Sequence, residues 1–88
     1  MRTIKLSGRE MSVIRAVGYS EPVLGSDILD HTRMAPDDVT DTLNSLISAG
    51  FVESVPYCEQ IELATMPVTA FEVNPAYVHE IRHAMQRR

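Results

Sequence analysis

Apolar residues recur every three or four positions along the first half of the chain, which is the spacing of an amphipathic helix. The first such segment predicts a helix over residues 8–19. Ser7 and Glu10 have the spacing of a capping box, in which each side chain satisfies a backbone N–H left unpaired at a helix start. The apolar positions are Met11, Val13, Ile14 and Val17. The pattern stops before Pro22, because proline disfavours helical geometry in the residue that precedes it.

Two further helices are predicted over residues 25–31 and 36–49, joined by a tight turn at 32–34. Gly25, Ser26 and Asp27 supply capping residues for the shorter helix. The longer one begins with Pro36 and two aspartates, whose carboxylates face the positive end of the helix dipole. Its apolar stripe consists of Val39, Leu43, Leu46 and Ile47. Gly50 stands where a left-handed residue ends a helix.

After Gly50 the apolar period changes from helical to alternating, which is typical of strands. Residues 51–55, 59–65 and 69–73 predict two or three short antiparallel strands, separated by breaks that contain proline. A last helix is predicted over residues 75–87. Its apolar side consists of Tyr77, Val78, Ile81, Ala84 and Met85. The expected fold class is α+β.

Length and composition favour one small globular domain that spans residues 1–88. A chain of 88 residues is long enough for one hydrophobic core, and 44% hydrophobic with 23% charged residues is ordinary for such a domain. Cys58 is the single cysteine, so no internal disulfide can form. No segment reaches the roughly 20 apolar residues of a membrane helix, and no signal peptide is recognisable at the start. We therefore expect a cytoplasmic protein without a membrane segment.

The charges are unevenly distributed, although the net charge is only −4, from twelve acids and eight bases. Basic residues concentrate at the two ends of the chain: Arg2, Lys5, Arg9, Arg15, Arg82, Arg87 and Arg88. Between Gly25 and Val55 the single base is Arg33. The acids of that segment are Asp27, Asp30, Asp37, Asp38, Asp41 and Glu53. The predicted third helix is therefore acidic.

The run SDILDHTRMAPDDVTDTLNSLISAGFVES resembles the winged helix-turn-helix regulators related to the MarR and ArsR families. In those families a short helix, a turn and a longer helix lead through a glycine and an apolar step into a wing. The positions that match this signature are Leu43, Leu46, Ala49, Gly50, Phe51 and Val52. The resemblance implies a three-helix core with a helix-turn-helix, an antiparallel wing of two or three strands, and a C-terminal helix.

The same resemblance implies a transcriptional regulator that binds double-stranded DNA as a homodimer, with helix 36–49 in the major groove. The predicted nucleic-acid contacts are Arg9, Arg33, Thr40, Asn44 and Ser45. Asn44 is a suitable partner for adenine, and the basic N-terminal arm would contact phosphates. The last helix would pair with its copy in the partner through Tyr77, Val78, Ile81 and Met85, or simply pack on the core.

The acidic third helix supports an alternative. Its exposed side carries Asp37, Asp38 and Asp41, whereas DNA affinity depends on cations that displace counterions from phosphates. No basic residue occurs from 51 to 70, where related regulators place arginine or lysine. The alternative is a winged-helix module that binds a basic protein surface, without DNA. The third possibility is that these acids only stabilise and solubilise the helix.

Residues with catalytic or metal-binding potential do not combine into a recognisable site. His79, Glu80 and His83 match the HExxH string of zinc peptidases, but only five residues follow, which leaves no downstream third ligand. Cys58 lies beside Glu59 and has no neighbouring base, so the local charge favours the unreactive thiol. We therefore expect neither an enzyme nor a bound cofactor or metal.

Overall fold

The computed structural model describes residues 4–86, and within them the fold is α+β, with four helices and a three-stranded antiparallel sheet. The helices are α1 (Gly8–Val17), α2 (Gly25–Thr32), α3 (Pro36–Ala49) and α4 (Val78–Gln86). The strands are β1 (Val23–Leu24), β2 (Val52–Val55) and β3 (Ala70–Val73). Short 3-10 helices occupy Met66–Val68 and Pro75–Tyr77. No helix of this part of the chain combines the length and the apolar character needed to cross a bilayer.

The start of α1 is the predicted capping box. The Ser7 backbone N–H donates to Glu10 Oε1 at 2.8 Å, and the Glu10 N–H donates to Ser7 Oγ at 3.1 Å. The helix ends at Val17, two residues earlier than predicted, because Gly18 adopts φ 71° and its N–H caps the Ile14 carbonyl. A positive φ is accessible to glycine without steric cost, so Gly18 rather than Pro22 ends the helix.

Helices α2 and α3 lie close to the ranges predicted for them. Helix α2 extends one residue further than expected, to Thr32, and Arg33 caps it in a left-handed conformation with φ 57°. Helix α3 spans the predicted residues 36–49 and ends at Gly50, which has φ 86°. The predicted cap of α2 was wrong, because Gly25, Ser26 and Asp27 lie inside the helix, Leu24 occupies the N-cap position and no side chain caps the helix start. For α3 the local signals were sufficient, because the opening proline and the closing glycine act within one turn.

The sheet differs from the prediction at two places. Its order is β1-β3-β2, and β1 is a two-residue strand that the alternating pattern did not indicate. Residues 59–65, predicted as a strand, form turns and loop instead. Strand β3 already pairs with β1 on one side and with β2 on the other, so this segment has no place beside the central strand.

One buried cluster joins the helices to one face of the sheet. Strands β2 and β3 alternate: Val52, Phe71 and Val73 are buried, while Glu53 and Glu72 are only half-buried on the other face. The fully buried side chains of largest volume are Phe71, Ile14, Ile28, Leu43, Leu46, Met66, Ile81, Val13, Val39 and Val52. All four helices and both longer strands contribute to this list or pack against it.

The C-terminal segment begins as a 3-10 turn and becomes α-helical at Val78, three residues later than predicted. Asn74 caps the turn by accepting a hydrogen bond from the Ala76 N–H at 3.0 Å. Ile81 is fully buried against the core. Position 87, the predicted helix end, lies outside the described residues.

Candidate partner-binding face on the third helix

The exposed side of α3 is acidic along its first half. Asp37 and Asp41 are exposed and Asp38 is half-buried, followed by the exposed hydroxyls of Ser45 and Ser48. Two of the carboxylates lie in the first helical turn, where the unpaired backbone N–H groups favour negative charge. We call this side, formed by Asp37, Asp38, Asp41, Ser45 and Ser48, the acidic face.

Thr40 does not belong to the acidic face, contrary to the prediction that it contacts nucleic acid. Its residue exposure is 5%, and its hydroxyl donates to the Pro36 carbonyl oxygen at 2.8 Å. A threonine on an amphipathic helix often bonds to the carbonyl four residues earlier in this way. The Thr40 side chain is therefore used inside the helix and is not available to a partner.

Asn44 is similarly occupied. Its Nδ2 donates to the Ile61 carbonyl oxygen at 2.9 Å, and its Oδ1 accepts from the Ile61 backbone N–H at 2.7 Å. The amide thus closes a two-bond ring with the backbone of the loop between β2 and β3. Reading of adenine would need the same two groups of the amide, so it would require Asn44 to release the loop.

Arg9 and Ser45 connect the acidic face to the start of α1. The Arg9 guanidinium lies 3.5 Å from an Asp38 carboxylate oxygen, and Ser45 Oγ lies 3.5 Å from Glu10 Oε2. Because the Arg9 side chain is 65% exposed, this ion pair contributes little to stability. The Asp38 carboxylate nevertheless offsets part of the positive charge of Arg9. The positive charge of Arg9 therefore meets α3 at a carboxylate, while Arg2 of the predicted basic arm lies outside the described residues.

Arg33 is a predicted contact residue that lies at the surface. It is exposed at the end of α2, directly before the turn into α3. Among residues 4–86, no carboxylate oxygen lies within 4.0 Å of its guanidinium. Of the five predicted contacts, Arg9, Arg33 and Ser45 are therefore at the surface, whereas Thr40 and Asn44 are engaged within the domain.

Comparison with protein-family models, curated proteins and solved structures found no match to this chain. The resemblance to winged helix-turn-helix regulators therefore stays a prediction from the sequence.

The predicted homodimer residues on α4 are unequally available. Ile81 is fully buried within the domain, so its side chain cannot carry a contact with a second copy. Tyr77, Val78 and Met85 are half-buried, and each packs against the core. The Tyr77 ring meets Phe51 edge-on, with ring centroids 5.4 Å apart. The packing of α4 on its own domain accounts for most of its apolar side.

The other chemically suggestive residues lie on the surface. His79 and His83 are exposed, and the described residues hold no group of three side chains placed to ligate a metal ion. Cys58 is also exposed, and its Sγ donates to the Gln60 carbonyl oxygen at 3.4 Å. These positions form no assembled catalytic arrangement within residues 4–86.

A second feature was not predicted, because its residues are distant in the sequence. Arg15 and Tyr19 at the end of α1 line a groove with Arg82 and Met85 of α4. The Arg82 guanidinium carbon lies 4.6 Å from the centroid of the Tyr19 ring, which is a cation–π contact. Burial raises the pKa of Tyr19 above its ordinary value, and the positive charges of Arg82 and Arg15 oppose this rise.

Proposed function

We propose that this chain is a winged-helix domain that binds a basic surface of another protein through the acidic face of α3. The observation that carries the proposal is that the polar side chains of α3 fall into two groups, one bonded within the domain and one exposed. The side chains suited to reading bases, Thr40 and Asn44, are used within the domain, whereas the accessible positions carry carboxylates.

The order of the elements supports the winged-helix part of the proposal. Helices α1, α2 and α3 precede a hairpin formed by β2 and β3. Strand β1, which lies between α1 and α2 in the sequence, is the third strand of the sheet. Helix α3 follows α2 after a three-residue turn, as the second helix of a helix-turn-helix does. In that comparison α3 takes the position of the recognition helix, and the loop between β2 and β3 takes the position of the wing.

Electrostatics favour a basic partner for this surface. A DNA groove is lined by phosphates, so exposed carboxylates on an inserted helix would add repulsion where binding needs released counterions. The loop after β2 adds the exposed carboxylates of Glu59 and Glu62, and Asn44 fastens the same loop to α3 through Ile61. Complementary charge steers association and selects partners more than it adds affinity.

DNA binding by a homodimer is the second candidate, and Arg33 is the observation that favours it. Its guanidinium is accessible beside the start of α3, where helix-turn-helix proteins contact the DNA backbone. Ser45 would add a polar contact, and Tyr77, Val78 and Met85 would be the residues that face the second copy.

The two candidates can be separated by fluorescence anisotropy with two labelled probes, a lysine- and arginine-rich peptide and a mixed-sequence DNA duplex, at several salt concentrations. Under our proposal the D37N/D41N variant binds the peptide about threefold to tenfold more weakly than the parent, as expected for two partly exposed ion pairs. The D30N/E21Q variant has the same net charge but changes exposed acids outside the acidic face, so it should bind as the parent does.

Two results would reject the proposal. Equal weakening by both variants would mean that the peptide senses only net charge. Salt-dependent binding of the parent to the duplex, lost on R33Q substitution, would establish the DNA candidate instead.

A further inference from the structure

The groove between α1 and α4 has the dimensions and the charge of a small-ligand site. It is an open surface groove of about 450 Å³ beside the C-terminus of α1, where the Arg15 guanidinium offsets the partial negative charge of the helix end. Its lining residues are Arg15, Gly18, Tyr19, Arg82, Met85 and Gln86. The groove therefore combines two guanidinium groups, a phenol and an amide around an apolar floor.

The two arginines of this groove differ from Arg9 in their surroundings. Within residues 4–86, neither Arg15 nor Arg82 has a carboxylate oxygen within 4.0 Å, whereas Arg9 is paired with Asp38. Two like charges that face one groove repel each other, and an anion between them would remove that repulsion.

Tyr19 holds one of the two guanidinium groups in place. The ring lies under Arg82, and Tyr19 as a whole residue is 37% exposed, so part of it reaches the groove. Stacking on an aromatic face leaves the N–H groups at the edge of a guanidinium free to donate. Gly18 allows this arrangement, because its φ of 71° turns the chain sharply at the end of α1 and directs Tyr19 toward α4.

We infer that the groove binds an oxyanion, a phosphate or carboxylate group carried by a small molecule, between the guanidinium groups of Arg15 and Arg82. The planar donor fork of arginine matches the two oxygens of such a group. Tyr19 acts as a positioning residue that fixes Arg82, and the Gln86 amide is placed to contact the rest of the ligand. This site lies apart from the acidic face and does not depend on the function proposed for α3.

A purely structural role for the same contact makes a different prediction. If Arg82 only fastens α4 to α1 through Tyr19, loss of Arg82 would lower stability and loss of Arg15 would have no effect on any ligand. The two arginines therefore have to be tested separately, with stability and binding measured on the same samples.

The experiment is a titration of the full chain, followed by the arginine Nε–Hε signals in proton–nitrogen NMR spectra. The probes are inorganic phosphate, adenosine monophosphate and citrate, each at constant ionic strength. The three probes distinguish a free phosphate, a phosphate on an organic carrier and a carboxylate ligand. We expect saturable shifts of the Arg15 and Arg82 signals with at least one probe, while the Arg9 signal stays unchanged.

Substitutions then assign the contacts. Since a hydrogen bond to a charged group contributes about 1.5–3 kcal/mol, R15Q should weaken binding about tenfold or more, and R82Q at least as much. R9Q removes the same charge at the paired site beside Asp38 and should leave the affinity within about twofold of the parent. R15K, which keeps the charge but not the fork, should recover only part of the loss.

The inference is overturned if none of the three probes shifts the two signals saturably, or if R15Q binds as tightly as R9Q. Should R82Q prove too unstable to measure, Y19F provides the second variant, because it keeps the aromatic ring under Arg82. We expect Y19F to retain binding that R15Q loses. Equal loss in both would show that the phenol contacts the ligand as strongly as Arg15 does, which would overturn the positioning role assigned to Tyr19.

Discussion

The hydrogen-bonded ring between Asn44 and Ile61 predicts that N44A loses stability. The substitution removes two bonds, at 2.7 and 2.9 Å, and leaves the N–H and C=O of a residue that is only 5% exposed without these partners. At roughly 0.5–1.5 kcal/mol for each bond, the loss is about 1–3 kcal/mol. The better helix propensity of alanine offsets at most about 0.7 kcal/mol of this. We therefore expect N44A to lower the free energy of unfolding by about 1–2 kcal/mol.

Urea unfolding followed by far-ultraviolet circular dichroism measures this difference, because the chain has no tryptophan for fluorescence. For a domain of this size a loss of 1–2 kcal/mol corresponds to a decrease in Tm of roughly 4–16 °C. S48A is the matched control, since Ser48 is exposed on the same helix, and we expect a change within about 0.5 kcal/mol. N44D should also lose stability, because its carboxylate still accepts from the Ile61 N–H but places a second acceptor oxygen against the Ile61 carbonyl oxygen.

Equal stability of N44A and S48A would refute the reasoning. The amide would then be free to turn outward at little cost, and Asn44 would return to the set of accessible residues that can read a base. If N44A loses stability but binds DNA as tightly as the parent, Asn44 attaches the loop to α3 and does not read a base.

Two further predictions concern the packing around α2 and the groove at the end of α1. In G25A the added Cβ would collide with the Met66 carbonyl oxygen and lie 2.7 Å from its sulfur, so we expect a loss of about 1–3 kcal/mol in thermal unfolding. G8A, whose Cβ meets nothing within 4 Å, should show no such loss, and equal shifts would contradict the packing argument. Burial raises the pKa of Tyr19 above 10.0, so its proton stabilises the fold below that pH, and this contribution disappears as the pH rises through the folded-state value. The chain has three tyrosines, and Y19F should remove tyrosinate absorbance that develops above pH 10.0 and reduce the alkaline loss of stability. If the absorbance that Y19F removes develops below pH 10.0, the pKa of Tyr19 is not raised.

The helices were largely predictable because their signals are local. The capping box of Ser7 and Glu10, the proline that opens α3 and the glycine that closes it act within one turn of the backbone they organise. Apolar residues at helical spacing also identified the buried sides of α1 and α3, including Ile14 and Leu43. The larger errors at the helix ends came from Gly18, which has a positive φ, and from residues 75–77, which form a 3-10 turn before α4 begins.

The sheet and the candidate sites depended on contacts between distant residues. Strand β1 has only two residues and exists because β3 offers an edge for it to pair with, while residues 59–65 alternate like a strand but find no free edge. The helical pattern placed Asn44 on the polar side of α3, but it could not show that the loop brings Ile61 there as a hydrogen-bond partner. The cation–π contact that draws Arg82 to Tyr19 likewise joins α4 to the end of α1.

The sequence by itself thus determined the positions of the helices, the apolar side of each and the acidic character of α3. Only the tertiary structure decided which polar side chains remain available to a partner. The physical reason is that a side chain's exposure and hydrogen-bond partners depend on every element packed around it, whereas a helix begins and ends through interactions among its own neighbours.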